Sequence, residues 1–580
     1  MRHTVDPQQR RLFDPFEGMI PPLGLDRIRN GWQGIFRAAL LELMPAQQLG
    51  KHFSPNVGRH TKELYSIAGL LFIQEFQNWT ISDAVEAYLF RTDIQFALNL
   101  EPGLDQMCER TFERHRALFL NDEGAGQVMQ DVTDRLIGLL ELDITKQRLD
   151  STHVFSNMAS FGRTRLLAVT IKRFLTQVKR HHLADFEALP IELRQRYAPS
   201  QAQLLAKESK EADGRAKSRQ QVAEDVRDLI DRFADHADLR DRSSYQALVT
   251  IFAQQCEIVD DRVQVLTKTG GACVQNPSDL DATYDGKKGP GYQAQFSETC
   301  SDANDVQLIV SALPQTAVES DANALAPVLA DLQKRDLLPA EMLADTSYGS
   351  DANVQHAARL DVELVSPVPG PTPTTTPTET KDAGEVIAKL TIDDFAVDER
   401  TGKVDACPAG RIPLQVVRNE ATSTTTIQMS PEDCATCPFR EQCPIELGES
   451  TCEVSYTDKQ KRLEGRRQEQ ETDVFKERYA KRSGLESTNS GIKRRLGLGR
   501  LRVRGQRAVD HAIYMKVAGW NLLRAAASGR LRGRVARGLA RLGAALVFCV
   551  AYAVWRWAWS RNWLARADRR VDCVATDLRS

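Results

Sequence analysis

Between Thr61 and about Leu120 apolar residues recur every three or four positions, in "ELYSIAGLLFIQEF", "TISDAVEAYLF" and "CERTFERHRALF". That spacing predicts a series of short amphipathic helices, with Ser82 and Thr111 at the N-cap positions of two of them. The result is a compact helical module, which pattern alone fits equally to a helix-turn-helix and to a plain bundle. Residues 1 to about 55 are punctuated by proline and keep no sustained period.

Further along, the period changes. "ITKQRLDSTHVFS" (144–156) reads as a short strand with β-branched residues on both sides of Asp150. A long, charged, helical section follows, from about Arg163 to Cys256. Strand signals return at "GYQAQFSE" (291–298), where alternation is clear, and at "VQLIVSALP" (306–314). After the helix-like "ANALAPVLADLQKR" come strand-like "EMLADTSYG", a helical turn from Ser350, and "VELVSPVP". The order β, β, β, α, β, α, β with one helical insertion after the first strand predicts an α/β mixed sheet flanked by helices. "PVPGPTPTTTPTETK" (367–381) cannot build a core and marks a linker or loop. A cysteine-rich patch with strand-like pieces (about 388–452), a basic helical block and an aromatic tail complete the chain. No internal repeat is visible.

Length and charge sharpen this outline. A chain of 580 residues suggests about three or four domains. The formal net charge of −2 does not announce a nucleic-acid partner, but its distribution does. From Arg478 to Arg541 seventeen Lys or Arg face only Glu486 and Asp510, a candidate phosphate-binding surface. "MRHTVDPQQRRLFDPF" has no apolar signal region. Leu542 to Trp555 is uncharged for 14 residues, short of the roughly 20 that a spanning helix needs. It reads as a buried or interfacial helix, and a cytoplasmic protein without membrane partners is expected.

Two constellations carry chemistry. Cys407, Cys434, Cys437 and Cys443 form C-x26-C-x2-C-x5-C, a set that suits tetrahedral zinc in a closed, structural site, with Cys452 able to replace one ligand. Asp150 and Asp345 lie in or at the end of predicted strands, where a lone aspartate is most often a turn or cap residue. With Glu486 on a later basic helix, however, three carboxylates become available to converge. That is the requirement of a two-metal phosphoryl-transfer site, and hard oxygen ligands select Mg2+ or Mn2+.

Tyr479, Arg482, Glu486 and Lys493 then give Y-x2-R-x3-E-x6-K. This resembles the YREK signature of bacterial insertion-sequence transposases of the DDE class. "LDSTHVFSN" and "LADTSYGSDAN" look like the first- and second-aspartate strands of that family, and the helical module resembles its N-terminal domain. The resemblance covers roughly residues 30–525. It implies an RNase H-like catalytic core with Asp150, Asp345 and Glu486 as the catalytic, Mg2+-binding triad. Tyr479, Arg482 and Lys493, with Arg494 and Arg495 beside them, would contact DNA. Tyr479, Arg482 and Glu486 fall on one helical face, whereas Gly491 and the polar "STNSG" are expected to interrupt the helix before Lys493.

The expected layout is an N-terminal arm (1–55), a helical DNA-binding domain (56–140) and the first part of the core (141–366, helical insertion about 160–280). A linker (367–387), a zinc-ribbon-like cysteine-rich insertion (388–455), the second part of the core (456–527) and an unassigned tail (528–580) follow. The expected partners are double-stranded DNA, as element ends and target, and a second copy of the chain in a synaptic dimer in a bacterial cytoplasm. The expected function is cleavage at the element's ends and joining to a target. A related nuclease that cuts without joining, and a zinc-containing DNA binder without catalysis, are the alternatives.

Overall fold

A computed structural model describes residues 1–7, 14–103, 105–201, 203–204, 212–370, 390–398, 403–448 and 450–531. Most of the Pro/Thr-rich stretch, the apolar run Leu542–Trp555 and the "WRWAWSRNW" segment lie outside the described residues. The chain divides into two compact units. One comprises Met1–Leu142, Ala303–Leu308 and residues from Ala518 onward; the other comprises Asp143–Asp302 and Ile309–Val517.

The first unit is helical. Its central helix, Leu64–Gln77, buries Ile67, Leu70, Leu71, Phe72, Ile73 and Phe76. Burial on nearly every side follows from a run with almost no polar face. Phe36 stacks on Phe72 with ring centroids 5.5 Å apart. Helices Ile81–Phe90, Glu109–Asn121 and Ala125–Leu140 surround it. The two expected caps are displaced. Thr80, not Ser82, caps the second helix, because Thr80 and Asp83 satisfy each other's backbone N–H in a capping box. Cys108 precedes the third, and Thr111 sits inside its first turn, its hydroxyl 3.3 Å from the Cys108 thiol.

The second unit is built on a six-stranded mixed sheet. Its main strands are β1 (Lys146–Val154), β2 (Gly289–Thr299), β3 (Ile309–Thr316), β4 (Glu341–Ala344) and β5 (Glu363–Val365). Thr283–Asp285 adds a short sixth segment beside β2. β1 pairs antiparallel with β2, and β2 antiparallel with β3; β1 pairs parallel with β4, and β4 parallel with β5. The strand order is therefore β3-β2-β1-β4-β5. Parallel neighbours need crossover connections, and the helices Leu325–Lys334 and Asp351–Ala358 lie on those crossovers. A mixed α/β unit is what the strand and helix order in the sequence predicts.

The insertion between β1 and β2 has its own core. Helices Arg163–His181, Ala212–Phe233 and Ser243–Gln255 enclose Leu167, Ile171, Phe174, Val226, Leu248 and Ile251. A hairpin that the pattern does not reveal, Cys256–Val259 with Arg262–Val265, follows directly. Asp260 and Asp261 at its turn both have positive φ, 50° and 60°, the conformation of a two-residue type I′ turn.

Candidate active site

Asp150 and Asp345 are neighbours because of strand register. β1 and β4 run parallel with Leu149 opposite Ala344, and the next residue on each chain is the aspartate. Asp150 accepts a hydrogen bond from the Ser151 amide. Asp345 occupies the N-cap position of the turn Thr346–Tyr348, yet its side chain makes no capping bond. Turn chemistry therefore does not explain this carboxylate.

Glu486 is linked to Asp150 by way of one arginine, Arg482. The signature segment is not one continuous α-helix: Asp473–Ala480 is α-helical, Lys481–Ser483 tightens into a 3-10 turn, and Gly484–Leu496 is α-helical again. The expected interruption at Gly491 does not occur, so Lys493 shares the helix of Glu486. This helix ends at Gly497, whose φ of 72° gives the left-handed cap, and the buried Lys516 ammonium donates to the Leu496 carbonyl at 2.7 Å.

Arg482 ties the acids together. Its guanidinium lies 3.6 Å from Asp150 Oδ2 and 3.2 Å from Glu486 Oε1. It also sits over the Tyr479 ring, 5.7 Å from the centroid, while that ring stacks on Phe475. Burial pushes the Asp150 carboxyl up to about 6, against the pull of Arg482, and the charges of Asp345 and Asp321 add to the rise. Burial, reinforced by Lys288, holds the Lys493 ammonium below its ordinary range, with Asp150 opposing. Tyr479, Arg482 and Lys493 thus share one electrostatic environment with the aspartates. Arg494 and Arg495 are exposed on the same helix.

The rest of the basic block is less available than its composition suggests. Arg478 pairs with Glu341 at 2.8 Å and Glu363 at 2.6 Å, and Lys481 pairs with Asp302. These contacts fasten the signature segment to β4, to β5 and to the loop after β2.

Several residues that complete the site are invisible to motif reading. Arg148, two residues before Asp150, donates to Glu298 Oε2 from Nε (2.8 Å) and Nη2 (2.5 Å), and to the Lys481 carbonyl at 2.9 Å. Glu298 is fully buried and also accepts from Thr488 on the glutamate helix at 2.7 Å. One buried carboxylate thereby joins β1, β2 and that helix. Gly484 passes so close that a Cβ there would lie 1.9 Å from Arg148 Nη1. Asp321 accepts from Ser151 Oγ and Gln295 Nε2, each at 2.9 Å, and the buried Tyr348 hydroxyl donates to Gln295. The alternation in β2 signals a strand, but it does not show that Gln295 and Glu298 face inward.

The cysteine segment forms a separate small core. Gln415–Asn419, Thr424–Met429 and Cys452–Thr457 make a three-stranded antiparallel sheet. Cys434 is on the short helix Pro431–Ala435, Cys437 and Cys443 follow in turns, and Cys407 follows the segment Val404–Ala406. Cys407, Cys434, Cys437 and Cys443 line one pocket. Burial pushes the Cys434 thiol up to about 12, aided by its contact with Cys452 and by Cys443 and Cys407. Among the described residues, only His182, Asp185 and His236 bring three ligand atoms within 4.8 Å of one another. The Leu239 amide donates to His236 Nδ1 at 3.2 Å, which leaves the proton on Nε2, the atom facing Asp185. His236 Nε2 and His182 Nδ1 lie 3.4 and 3.8 Å from Asp185 Oδ2, and all three residues are partly exposed.

Among the described residues no helix is long and apolar enough to cross a membrane. No curated protein matches the chain. Residues 406–526 match the family model described as Transposase DDE domain, a span that holds the cysteine pocket, Tyr479, Arg482, Glu486 and Lys493. Asp150 and Asp345 lie before this span; Arg482 links Asp150 to it, and sheet register sets Asp345 beside Asp150. The match supports a DDE-type transposase and, at the level of that family, DNA binding and DNA transposition.

Proposed function

We propose that the chain cuts DNA at the ends of a mobile element and joins the freed 3′-OH to a target, with Asp150, Asp345 and Glu486 as its catalytic acids. The observation that carries this is the Arg482 guanidinium between Asp150 and Glu486, with strand register setting Asp345 at the end of β4 beside Asp150. The order β3-β2-β1-β4-β5 supports an RNase H-like core. The donor set is all carboxylate oxygen, and Asp150 carries a buried charge that a hard cation would relieve, so the residues fit Mg2+ or Mn2+. When bound, such ions supply Lewis-acid activation of the attacking and leaving oxygens.

The remaining roles belong to the chain. Arg482 holds Asp150 and Glu486 at a fixed separation, and Phe475 fixes the ring plane of Tyr479. Tyr479, Arg482 and Lys493 then present a hydroxyl and two cations to the phosphate beside the cut, with Arg494 and Arg495 on the backbone further along. Such contacts position DNA and carry little sequence information. The four pocket cysteines fit a structural zinc, since crowded thiols that raise one another's pKa are the groups a soft cation relieves. Action as a dimer on paired ends, in a bacterial cytoplasm, accompanies this reading.

The test is excision in cells from a plasmid carrying the gene's own flanking DNA, with wild type beside Asp150→Ala, Asp345→Ala and Glu486→Ala. Excision by wild type alone is expected. Excision, or metal-dependent nicking by purified protein, that survives Glu486→Ala sinks the assignment.

A further inference from the structure

The helical insertion carries a second polar feature that the active site does not use. A cleft of about 490 Å³ opens along helix Arg163–His181 and is lined by Lys172, Arg173, Gln177, Arg242, Ser243 and Ser244, among others. No carboxylate belongs to its lining. Among the described residues, Lys172 donates only to the carbonyls of Tyr197 and Ala198, at 3.0 and 3.1 Å, and Arg173 to Ser278 Oγ at 2.5 Å. These are neutral oxygens, so both positive charges stay uncompensated by their contacts.

Helix Ser243–Gln255 begins in this cleft, and no side chain caps it. Its first amides and the positive end of its dipole therefore point at whatever occupies the cleft. Two further donors wait there. Ser244 is only 6% exposed and its Oγ has no partner among the described residues; Arg242 Nε is buried and likewise unpartnered among them. Unpaired buried donors are uncommon, and here two of them belong to residues that line one cleft with Lys172, Arg173 and a helix N-terminus. Their common complement is a phosphate group.

We propose that this cleft grips a phosphodiester of the DNA strand, with Arg242, Ser244, Lys172 and Arg173 as its donors. The proposal rests on the reading of the chain as a DNA transposase. A cationic path supports it. Arg504 lies close enough to Arg173 to add to the lowering that burial causes in Arg173, and it donates to the Asn157 carbonyl just beyond β1. Positive charge thus runs from the cleft to the end of the strand that bears Asp150.

The experiment is fluorescence anisotropy of the full chain with labelled duplexes of several unrelated sequences, titrated over a range of KCl. Wild type is compared with Lys172→Gln, Arg242→Gln and Ser244→Ala, and thermal melts check the fold. Removing either cation is expected to weaken all sequences alike and to reduce the slope of log affinity against log salt by about 1. Ser244→Ala is expected to weaken binding with the slope unchanged. Unaltered affinity and slope in all three variants overturn the proposal. Inorganic phosphate binding that the variants abolish, while DNA affinity stays constant, also overturns it by making the cleft a small-anion site. Mn2+-dependent nicking of a supercoiled plasmid by the same proteins separates the two readings. Intact nicking with unchanged binding sinks the cleft alone, and no nicking by wild type sinks the transposase assignment.

Discussion

At the residue scale, Asp150 is an acid held against its own ionisation. Its carboxyl is raised from 3.8 to about 6, chiefly by burial. Below about pH 4 it is protonated in folded and unfolded chains alike. Between about 4 and 6 the folded chain keeps a proton that the unfolded chain releases, and above 6 it holds a buried charge. Stability from this group is therefore present at low pH and lost as pH rises through about 6. In chelator, Asp150→Asn is expected to melt higher than wild type at neutral pH, by about 1–3 kcal/mol, with the gap closing near pH 4. Thermal melts across that range check it, and a gap that widens on acidification contradicts the account. The four residues of Y-x2-R-x3-E-x6-K and both aspartates stand out in sequence because residue type and spacing mark them. Asp321, Arg148 and Glu298 were not, since nothing local marks a charge whose partner lies on another strand.

At the element scale, the position of the glutamate helix depends on the buried Arg148–Glu298–Thr488 contacts. Arg148→Met would take the guanidinium from the buried Glu298 carboxylate and leave its charge uncompensated by Arg148, and breaking such a pair costs about 3–5 kcal/mol. We expect a lower melting temperature and lost DNA nicking although all three acids remain. Gly484→Ala should do the same through the clash with Arg148, and a variant with both wild-type stability and wild-type nicking would contradict the tether. The cysteine segment is a second element-scale case. Purified chain is expected to carry zinc that a thiol-reactive mercurial releases, and Cys434→Ser to lower both the zinc content and the stability of this segment. Cys452→Ser tests whether the neighbour of Cys434 is a ligand: unchanged zinc content assigns it to the hydrophobic core, where it is buried.

At the scale of the whole molecule, neither unit is a continuous piece of chain. Gly519 lies against Phe76, and Asn521 Nδ2 donates to the buried Thr133 hydroxyl at 3.0 Å, so residues near 520 complete the N-terminal helical core. A fragment ending at Leu142 would expose Phe76 and take the Asn521 donor from Thr133. It is expected to melt at lower temperature and less cooperatively than the intact chain, as circular dichroism would show; an equally sharp transition would make the fragment self-sufficient.

The sequence by itself determined the alternation of β1 and β2, the helical insertion and the spacing of Y-x2-R-x3-E-x6-K. Each of these follows from side-chain period or residue type within a few positions. Only the tertiary structure decided that Leu149 pairs with Ala344, that Arg482 lies between Asp150 and Glu486, and that Arg478 and Lys481 are tied to acids. It also decided that the helix runs on through Gly491, because Leu485, Ile492 and Leu496 bury one side of it and outweigh the weak propensity of a single glycine. Register and ion pairing join residues hundreds of positions apart, and no local pattern encodes which distant partner a strand or charge will meet.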